Sequence, residues 1–506
     1  MAPTGRFRDA SRPVRPDGRR HGAVVSPKIA VSVVFVAAMF MSIMDATIVN
    51  VALPTIGRDF RVPATAVDTI SISFLVSLAV FIPASGWLGD RFGGKRVLLA
   101  AIAVFTAASA LCGTATSLDE LVSYRVLQGV GGGMMAPVGL AMLFRAFPPA
   151  ERVRASAILT IPTTLAPALG PVIGGVLVTD ATWRWVFYVN LPIGIAAIVF
   201  GSVFLVQEAQ PKPGSFDIAG FALSGIGLGS LMYGVSEGPQ VGWSSDEVLA
   251  TIGVGAVLLV AMTVVELRTR EPIVALRLLT NRLFRSGNIV MVLVSVAFFG
   301  VLYAVSLYYQ DGRGLSALQS GLSTFPEAIG VMMGAQVASR VVYPRLGPRR
   351  HITGGLVAVG TTVALMALLG ATTSLWWARL LMFVLGLSMG QVFVPTQAAT
   401  FATISPAATG RASTLFNAVR QLGGAVGVAA LTTAIVAVKP FVRASGPRLT
   451  PHFLAYRIAF LVAAAFALAA VVGSLAMRDS EAAGTMVRAG RRAAQTRPAA
   501  GAIAAD

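Results

Sequence analysis

The chain has 506 residues, of which 55% are hydrophobic and 12% charged, and its formal net charge is +18. Soluble globular domains carry about 25% charged residues, so this composition excludes an ordinary soluble domain. The basic residues lie in both tails and in short polar clusters between long apolar stretches, as they do in membrane proteins. This distribution argues against a nucleic-acid partner.

The N-terminal residues 1–28 are rich in arginine and proline and are predicted to form a disordered basic tail. The apolar stretch that follows continues to about Leu53 and contains Asp45. It is longer than the roughly 7–15-residue core of a signal peptide, so it predicts a first membrane helix. The single cysteine, Cys112, excludes an internal disulfide and a cysteine-ligated metal site. The three histidines fall in predicted tails or loops, and they are His21, His351 and His452.

A helix that spans the hydrocarbon core needs about 20 mostly apolar residues, because lipid cannot hydrogen-bond an open backbone. Fourteen segments meet this need and predict an all-α integral membrane protein. They lie at residues 29–53, 68–88, 97–117, 119–143, 155–178, 186–206, 218–236, 248–267, 287–309, 322–342, 352–371, 375–399, 412–438 and 454–477.

An internal repeat divides these segments. Residues 90–96 recur as 344–350 and Arg125 recurs as Arg379, both at an offset of 254, and residues 154–156 recur as 411–413 at an offset of 257. The offset covers eight helices, so the arrangement is predicted as six, then two inserted, then six. The predicted domains are a tail at 1–28, a six-helix bundle at 29–206, cytoplasmic linkers with two inserted transmembrane helices at 207–285, a second six-helix bundle at 286–477 and a disordered cytoplasmic tail at 478–506.

Alternate loops differ in their content of lysine and arginine. An even number of helices puts both termini on one side, and that side holds most of the 40 basic residues. The opposite loops hold only Arg58, Arg61, Arg184, Arg313, Lys439, Arg443, Arg448 and Arg457. Because basic residues are retained on the inside, both termini are predicted to be cytoplasmic, with the chain in the plasma membrane.

The polar cluster after the second predicted helix reads G-W-L-G-D-R-F-G-G-K-R from residue 86 to residue 96. Its glycines permit a tight turn, and Asp90 can lie near a helix N-terminus and pair with nearby arginines. This pattern closely resembles the signature of the major facilitator superfamily, and such a charge cluster predicts a latch that holds one conformation. The alternative is a plain basic loop. The residues assigned to the latch are Gly86, Asp90, Arg91, Gly93, Lys95 and Arg96.

The fourth predicted helix contains Arg125-x2-Gln128-Gly129-x-Gly131 and resembles the second motif of the superfamily. An arginine inside the bilayer is costly unless it is paired or hydrated. Arg125 therefore needs a partner, for which a membrane carboxylate is the natural choice. The alternative is a purely structural tie between helices.

The fifth predicted helix contains Gly-Pro-x-x-Gly-Gly, which resembles the antiporter motif of the superfamily. The glycines allow close helix packing, and the prolines bend the helix. The family pattern has a further glycine where this chain has Ala166. The residues assigned to the motif are Pro167, Gly170, Pro171, Gly174 and Gly175.

Three further segments resemble the fourteen-helix drug:proton antiporters of this superfamily. They are M-D-A-T-I-V-N-V-A-L-P at 44–54, W-R-W-x-F-x-x-N-x-P at 183–192 and G-R-A-S-x3-N-x2-R-Q-x-G-G at 410–424. The resemblance covers residues 29–477 and implies the major facilitator fold with 14 transmembrane helices arranged 6+2+6.

Few acidic residues lie inside the predicted helices, and the two of most interest are Asp45 and Glu327. A carboxyl group in a low-dielectric interior retains a proton more readily than in water, so it can exchange protons near neutral pH and attract a cationic drug. We therefore predict Asp45 and Glu327, with Arg125, as the proton-coupling residues. The alternatives are a structural carboxylate tied to Asn50 or Arg125 for the first acid, and a solvated acid at the outer mouth for the second.

The predicted substrate cavity is mostly apolar with a few polar groups, because aromatic and methionine side chains suit varied hydrophobic ligands. For the apolar candidates the alternative is contact with lipid, and for Arg420 it is helix packing. The candidates are Asn50, Phe298, Phe299, Tyr303, Met332 and Arg420.

The resemblance implies proton-coupled efflux of hydrophobic, cationic drugs or other xenobiotics by alternating access. It implies no cofactor, because the proton gradient drives transport. The predicted partners are small hydrophobic or cationic substrates, protons and membrane lipid, with no nucleic acid, and the protein is predicted to act as a monomer. An alternative on the same fold is a dedicated exporter of one endogenous metabolite or self-made antibiotic. A membrane enzyme or a transport-inactive sensor is disfavoured, because the sequence holds no phosphate loop, metal-ligand cluster or Ser-His-Asp arrangement.

Overall fold

The computed structural model describes residues 25–62, 64–207, 214–269, 272–439, 441–443 and 449–486. Most of the two tails predicted to be disordered, residues 1–24 and 487–506, therefore lies outside the described residues. Within the described residues, every predicted membrane segment coincides with one long helix. In chain order these are α1 (Pro27–Phe60), α2 (Thr69–Phe92), α3 (Gly94–Thr114), α4 (Leu118–Ala146), α5 (Arg152–Asp180), α6 (Asn190–Phe204), α7 (Ile218–Val241), α8 (Asp246–Arg268), α9 (Arg282–Leu307), α10 (Ala317–Val337), α11 (Tyr343–Met366), α12 (Leu375–Thr400), α13 (Thr409–Val438) and α14 (Phe453–Leu475).

Eleven helices in the described part of the chain are long and apolar enough to cross a membrane, judged by length and composition. α10 and α11 are long enough but less apolar, and α5 has an apolar stretch at Leu165–Asp180. The fold is therefore that of a helical membrane protein.

Shorter elements join the long helices. The loop before α14 adds a two-stranded antiparallel ribbon, β1 (Phe441–Arg443) and β2 (Leu449–Pro451), which the all-α prediction did not include. The remaining short elements are α-helical turns at Ala64–Val67, Trp185–Tyr188 and Ala483–Met486, 3-10 turns at Pro149–Glu151, Leu276–Thr280 and Pro406–Ala408, and π-helical turns at Tyr308–Gly312 and Ala338–Val342.

α1 is longer than predicted, because Pro54 lies inside the helix and does not end it. The helix begins after Ser26, whose side chain accepts a hydrogen bond from the Ile29 backbone N–H, and proline occupies its first turn. It ends before Arg61, which adopts the left-handed conformation typical of a helix end. Membrane helices tolerate an internal proline where neighbouring groups satisfy the freed backbone.

The helix pairings of the first six helices recur eight helices later. α2 packs against α4, α1 against α5, α3 against α4, and α6 against both α1 and α3. Correspondingly, α10 packs against α12, α9 against α13, α11 against α12, and α14 against both α9 and α11. We call α1–α6 the first bundle and α9–α14 the second bundle.

The two bundles meet along two seams, and a third element covers one of them. α5 packs against α10 and α12 at one seam, and α2 and α4 pack against α13 at the other. α7 pairs with α8 and also packs against both α2 and α13, so it lies across the second seam. Nε1 of Trp243, between α7 and α8, donates a hydrogen bond to Thr433 Oγ1 of α13 at 2.8 Å.

Two segments differ from the sequence-based prediction. His351 is not in a loop, because α11 begins at Tyr343 and continues through a kink at Gly347, where φ is 75°. The histidine is buried, and its Nε2 lies 2.6 Å from Gln391 Oε1. The predicted C-terminal tail also differs at its start, because residues 478–486 are described and their terminal turn packs on α11.

Candidate functional site

A buried polar network in the first bundle centres on Asp45 of α1, which has no exposed surface. Nη1 of Arg125 on α4 donates to Asp45 Oδ2 and forms a buried ion pair. Nε2 of Gln128 and Nδ2 of Asn190 each donate to Asp45 Oδ1 at 2.9 Å. Both amide groups also donate to Ser109 Oγ, at 2.6 Å and 3.1 Å respectively. The network therefore joins α1, α3, α4 and α6.

Arg125 has partners beyond the carboxylate. Its Nε donates to the Ile70 carbonyl oxygen at 3.2 Å, and its Nη1 donates to Gln128 Oε1 at 2.7 Å. The guanidinium carbon lies 4.2 Å from the ring centroid of Phe74, which is within cation–π distance. The arginine thus has the carboxylate partner that the cost of its burial predicted.

Glycines of α4 allow the helix that holds Arg125 to pack closely against its neighbours in the first bundle. A Cβ at Gly129 would lie 2.7 Å from the Phe74 carbonyl oxygen of α2, and one at Gly131 would lie 2.6 Å from the Ala101 carbonyl oxygen of α3. α4 therefore approaches both neighbouring backbones closely, as small residues permit in membrane helices. The glycine-rich pattern noted in the sequence has this packing role.

The antiporter motif of α5 packs against α1 beside the network. A Cβ at Gly170 would lie 2.1 Å from Thr47 Oγ1, and one at Gly174 would lie 2.9 Å from Ile48 Cγ1. Gly175 has open space, since a Cβ there would meet nothing within 4 Å. Pro167 is half-buried on the same helix, and the side chain of Pro171 lies outside the described part.

The second bundle has a different arrangement at the repeat-related positions. Arg379, which corresponds to Arg125, lies within 3.4 Å of Ser323 Oγ through its Nε and Nη2, and it has no ion pair among the described residues. Glu327 lies one turn beyond that serine on α10 and is 5% exposed. Its Oε1 is buried without a hydrogen-bond partner among the described residues. Glu327 is therefore buried, not solvated at a mouth as the alternative required.

The latch sequence forms a tighter structure than the predicted loop. α2 continues to Phe92 and α3 begins at Gly94, so the joint is the single residue Gly93, with φ of 86°. Nη2 of Arg145 on α4 donates to Asp90 Oδ1 at 2.9 Å, and both side chains are 9% exposed. A Cβ at Gly410 would lie 3.0 Å from the same oxygen, so Asp90 faces the beginning of α13.

The other latch residues are not equivalent. Lys95 Nζ donates to the carbonyl oxygens of Ser202 and Leu205 at the end of α6, at 2.8 Å and 2.7 Å. Arg91 and Arg96 are exposed, and the structure gives neither an ion pair among the described residues. Sequence analysis did not identify Arg145. A basic residue in the last turn of the fourth helix was the feature that could have indicated it.

Hydrogen bonds between the bundles, among the described residues, lie at the end of the molecule that carries the latch, which we call the latch end. Ser85 Oγ lies 3.2 Å from Thr414 Oγ1, and Nη1 of Arg152 donates to the Phe401 carbonyl oxygen at 2.5 Å. The Phe401 ring packs on Phe144, with centroids 4.9 Å apart. The structure is thus closed at the latch end.

The predicted cavity residues lie in both bundles and differ in their exposure to solvent. Asn50 is exposed, and its Oδ1 accepts a hydrogen bond from Ser71 Oγ at 3.0 Å. Phe298 is buried and makes edge-to-face contacts with Phe299 and with Phe393 of α12, with ring centroids 5.4 Å and 5.3 Å apart.

The remaining candidates are partly exposed. Tyr303 is 37% exposed, and Met332 is half-buried on α10. Arg420 is half-buried on α13 and makes no ion pair within the described chain. The structure therefore brings the two phenylalanines together.

Comparison with known proteins identifies the family. The model of the Major Facilitator Superfamily matches residues 35–428. The chain belongs to this superfamily. It is therefore a multi-pass membrane transporter and not an enzyme, and its repeated helix pairings are those of a major facilitator fold.

Relatives of this chain include bacterial proteins named for multidrug resistance and for tetracenomycin C resistance and export. The Multidrug resistance protein B homolog of Mycobacterium tuberculosis is 31% identical over 84% of this chain and 80% of its own length. The Tetracenomycin C resistance and export protein of Streptomyces glaucescens is 32% identical over 80% and 74% of the two chains. Among solved structures, the human organic anion transporter MFSD10 superposes with a TM-score of 0.63 at 15% identity, covering 89% of this chain and 100% of that one. This last likeness concerns the fold alone.

Proposed function

We propose that this chain is a proton-coupled efflux transporter for hydrophobic, cationic drugs and other xenobiotics in the plasma membrane. The observation that carries the proposal is the presence of buried carboxyl groups in both bundles of a transporter whose relatives are named for multidrug resistance and antibiotic export. No cofactor is required, since the proton gradient supplies the driving force.

The proposed topology has fourteen membrane-spanning helices in groups of six, two and six. The recurrence of the helix pairings after eight helices supports this grouping. With both termini in the cytoplasm, as the distribution of basic residues favours, the latch end faces inward and Asn50 faces outward. The described conformation is then closed to the cytoplasm.

In this proposal Asp45 couples protons to conformation through its ion pair. Its carboxylate is held by one cation and two amide donors. Protonation would remove the negative charge that Arg125 faces, and a buried arginine without its partner is costly. Proton uptake would therefore loosen α4 from α1, and proton release would restore the pair.

Glu327 supplies a second proton site in the other bundle. Its buried Oε1 has no described partner, unlike either oxygen of Asp45. A carboxylate without a partner in a low-dielectric interior is stabilised by taking up a proton or by meeting a cation. Competition between a proton and a cationic drug for this group would give antiport.

The test is drug/proton exchange in vesicles that contain purified protein, with ethidium as a fluorescent lipophilic cation. The variants are Asp45→Asn and Glu327→Gln, and the matched control is Asp311→Asn, which removes an exposed acid at the end of α9. We expect drug-driven proton movement to be lost in the first two variants and retained in the control. Unchanged coupling in both buried-acid variants would refute the assignment.

The breadth of substrates separates the two export functions. Growth of a host strain that lacks other pumps, measured across cationic, neutral and anionic drugs, should improve for several hydrophobic cations. Protection against a single compound would instead favour the dedicated exporter of one metabolite or antibiotic.

A further inference from the structure

The repeat-related counterpart of the latch lacks the Asp90–Arg145 ion pair. At an offset of 254, Asp90 and Arg145 of the first bundle correspond to Pro344 and Ala399 of the second. The polar contacts of the latch therefore have no equivalent at these positions. At the α5–α10 seam, where Arg152 of α5 donates to the Phe401 carbonyl oxygen just after α12, the other contacts between the bundles are of a different kind.

An apolar cluster occupies this place. Its buried residues come from both bundles, and a methionine from beyond α14 packs against them. Members are Val153 and Ala157 of α5, Ala335 of α10, Tyr343 of α11, and Val394 and Ala398 of α12, with Met486 packed on them. At the offset of 257, the two α5 residues correspond to Gly410 and Thr414, the α13 residues that face the latch.

The chain reaches this cluster through residues 477–486, which we call the C-terminal strap. Met477, Ala482 and Thr485 of the strap are buried. The Thr485 Oγ1 atom lies 2.7 Å from the Tyr343 hydroxyl, and this contact is buried. The last turn of the strap, Ala483–Met486, also packs against Pro149–Glu151, just before α5. The strap therefore touches both bundles.

A second contact holds the beginning of the strap against the joint at Gly347, the repeat-related counterpart of Gly93. Asp479 Oδ1 accepts a hydrogen bond from the Arg349 backbone N–H at 2.8 Å. A Cβ at Gly347 would lie 2.9 Å from Asp479 Cγ, and Gly347 has the positive φ of its counterpart Gly93. Thus the Asp479 carboxylate of the strap lies beside the Gly347 joint, in the half of the repeat that has Pro344 in place of Asp90.

We propose that the C-terminal strap is a second lock, which holds the latch end closed at the α5–α10 seam as the charged latch does at the other seam. The strap replaces the missing charge pair with an apolar wedge, Met486, and a buried hydroxyl pair. The latch end then opens only when this turn leaves the cluster. The inference concerns conformation alone and does not depend on the transported substrate.

The experiment measures opening through the reactivity of a buried thiol. Cys112→Ala removes the native cysteine, and Ser85→Cys places a thiol at the α2–α13 contact, away from the strap. The rate of its alkylation by a water-soluble maleimide in detergent reports the fraction of molecules open at the latch end. The variants of the proposed lock are Tyr343→Phe in α11 and the strap pair Thr485→Val with Met486→Ala. The matched control is Gly484→Ala, where a Cβ would meet nothing within 4 Å.

We expect about a fivefold faster reaction for Tyr343→Phe, as the loss of one hydrogen bond predicts, and a larger increase for the strap pair. The control should react at the parent rate. A parent rate in Tyr343→Phe and in the strap pair would overturn the proposal, as would an equal increase in the control. If the strap pair does not fold, Tyr343→Phe decides alone, because it removes only one oxygen atom.

Discussion

Replacement of Arg125 by methionine should destabilise the first bundle strongly, since it leaves the buried carboxylate of Asp45 without a counter-charge. The two side chains are 1% and 0% exposed, so water cannot replace the lost partner. Removal of one member of a buried ion pair costs about 3–5 kcal/mol. The lower end of this range applies here, because Gln128 and Asn190 still donate to the carboxylate.

Thermal unfolding of the detergent-solubilised protein measures this cost. About 3 kcal/mol corresponds to a decrease in Tm of roughly 6–12 °C for a cooperative unit of 150–250 residues. The matched control is Arg379→Met, which removes the repeat-related arginine that contacts Ser323 and the Trp376 ring and has no ion pair among the described residues. Its Tm should change by a few degrees at most.

A second variant isolates the role of the charge. Asp45→Asn in the Arg125→Met background removes the unpaired carboxylate and should restore at least half of the lost Tm, because a neutral amide is less costly to bury. A Tm for Arg125→Met equal to that of the parent would refute the reasoning. A double variant as unstable as the single one would show that lost packing, and not the unpaired charge, causes the effect.

Two further predictions concern packing and surface charge. Gly170→Ala should destabilise the protein by about 1–3 kcal/mol, because the added methyl group overpacks against α1. Gly175→Ala, the matched control, should leave Tm unchanged. Equal Tm values for both variants would contradict the close approach of α5 to α1 at Gly170. Lys28→Ala removes a partly exposed ion pair with Glu151 and should lower stability by less than about 1 kcal/mol, with a smaller effect in high salt; a decrease in Tm as large as that of Arg125→Met would be inconsistent with its exposure.

The sequence predicted the positions of the helices well, because hydropathy registers directly the absence of water in the bilayer core. It also predicted a carboxylate partner for Arg125, since the cost of an unpaired charge in lipid leaves few other possibilities. The offset of 254 residues predicted the repeated pairing of helices, which the structure contains. None of these inferences depends on how a helix is rotated about its own axis.

The rest of the site depends on rotation and tertiary packing. Ser109 and Asn190 contact the Asp45 network from two other helices. Neither spacing nor composition marks Ser109, and the segment at 183–192 that contains Asn190 gives no sign of its contact with Asp45. Arg145 pairs with Asp90 because the ends of α2 and α4 lie side by side, although 55 residues separate the two in the chain. The sequence predicts a disordered tail for residues 478–486 of the strap, because their few apolar residues form a packed turn only against α11.

The helix α7, which is in neither bundle, makes the two seams between the bundles unequal toward the surrounding lipid. Along the α2–α13 seam, α7 packs on both bundles and separates their contact from the surrounding acyl chains. Along the α5–α10 seam, no helix from outside the bundles takes that position in the described part of the chain. A hydrophobic compound that diffuses sideways through the bilayer therefore meets a shielded flank on one face of the protein and an unshielded flank on the other.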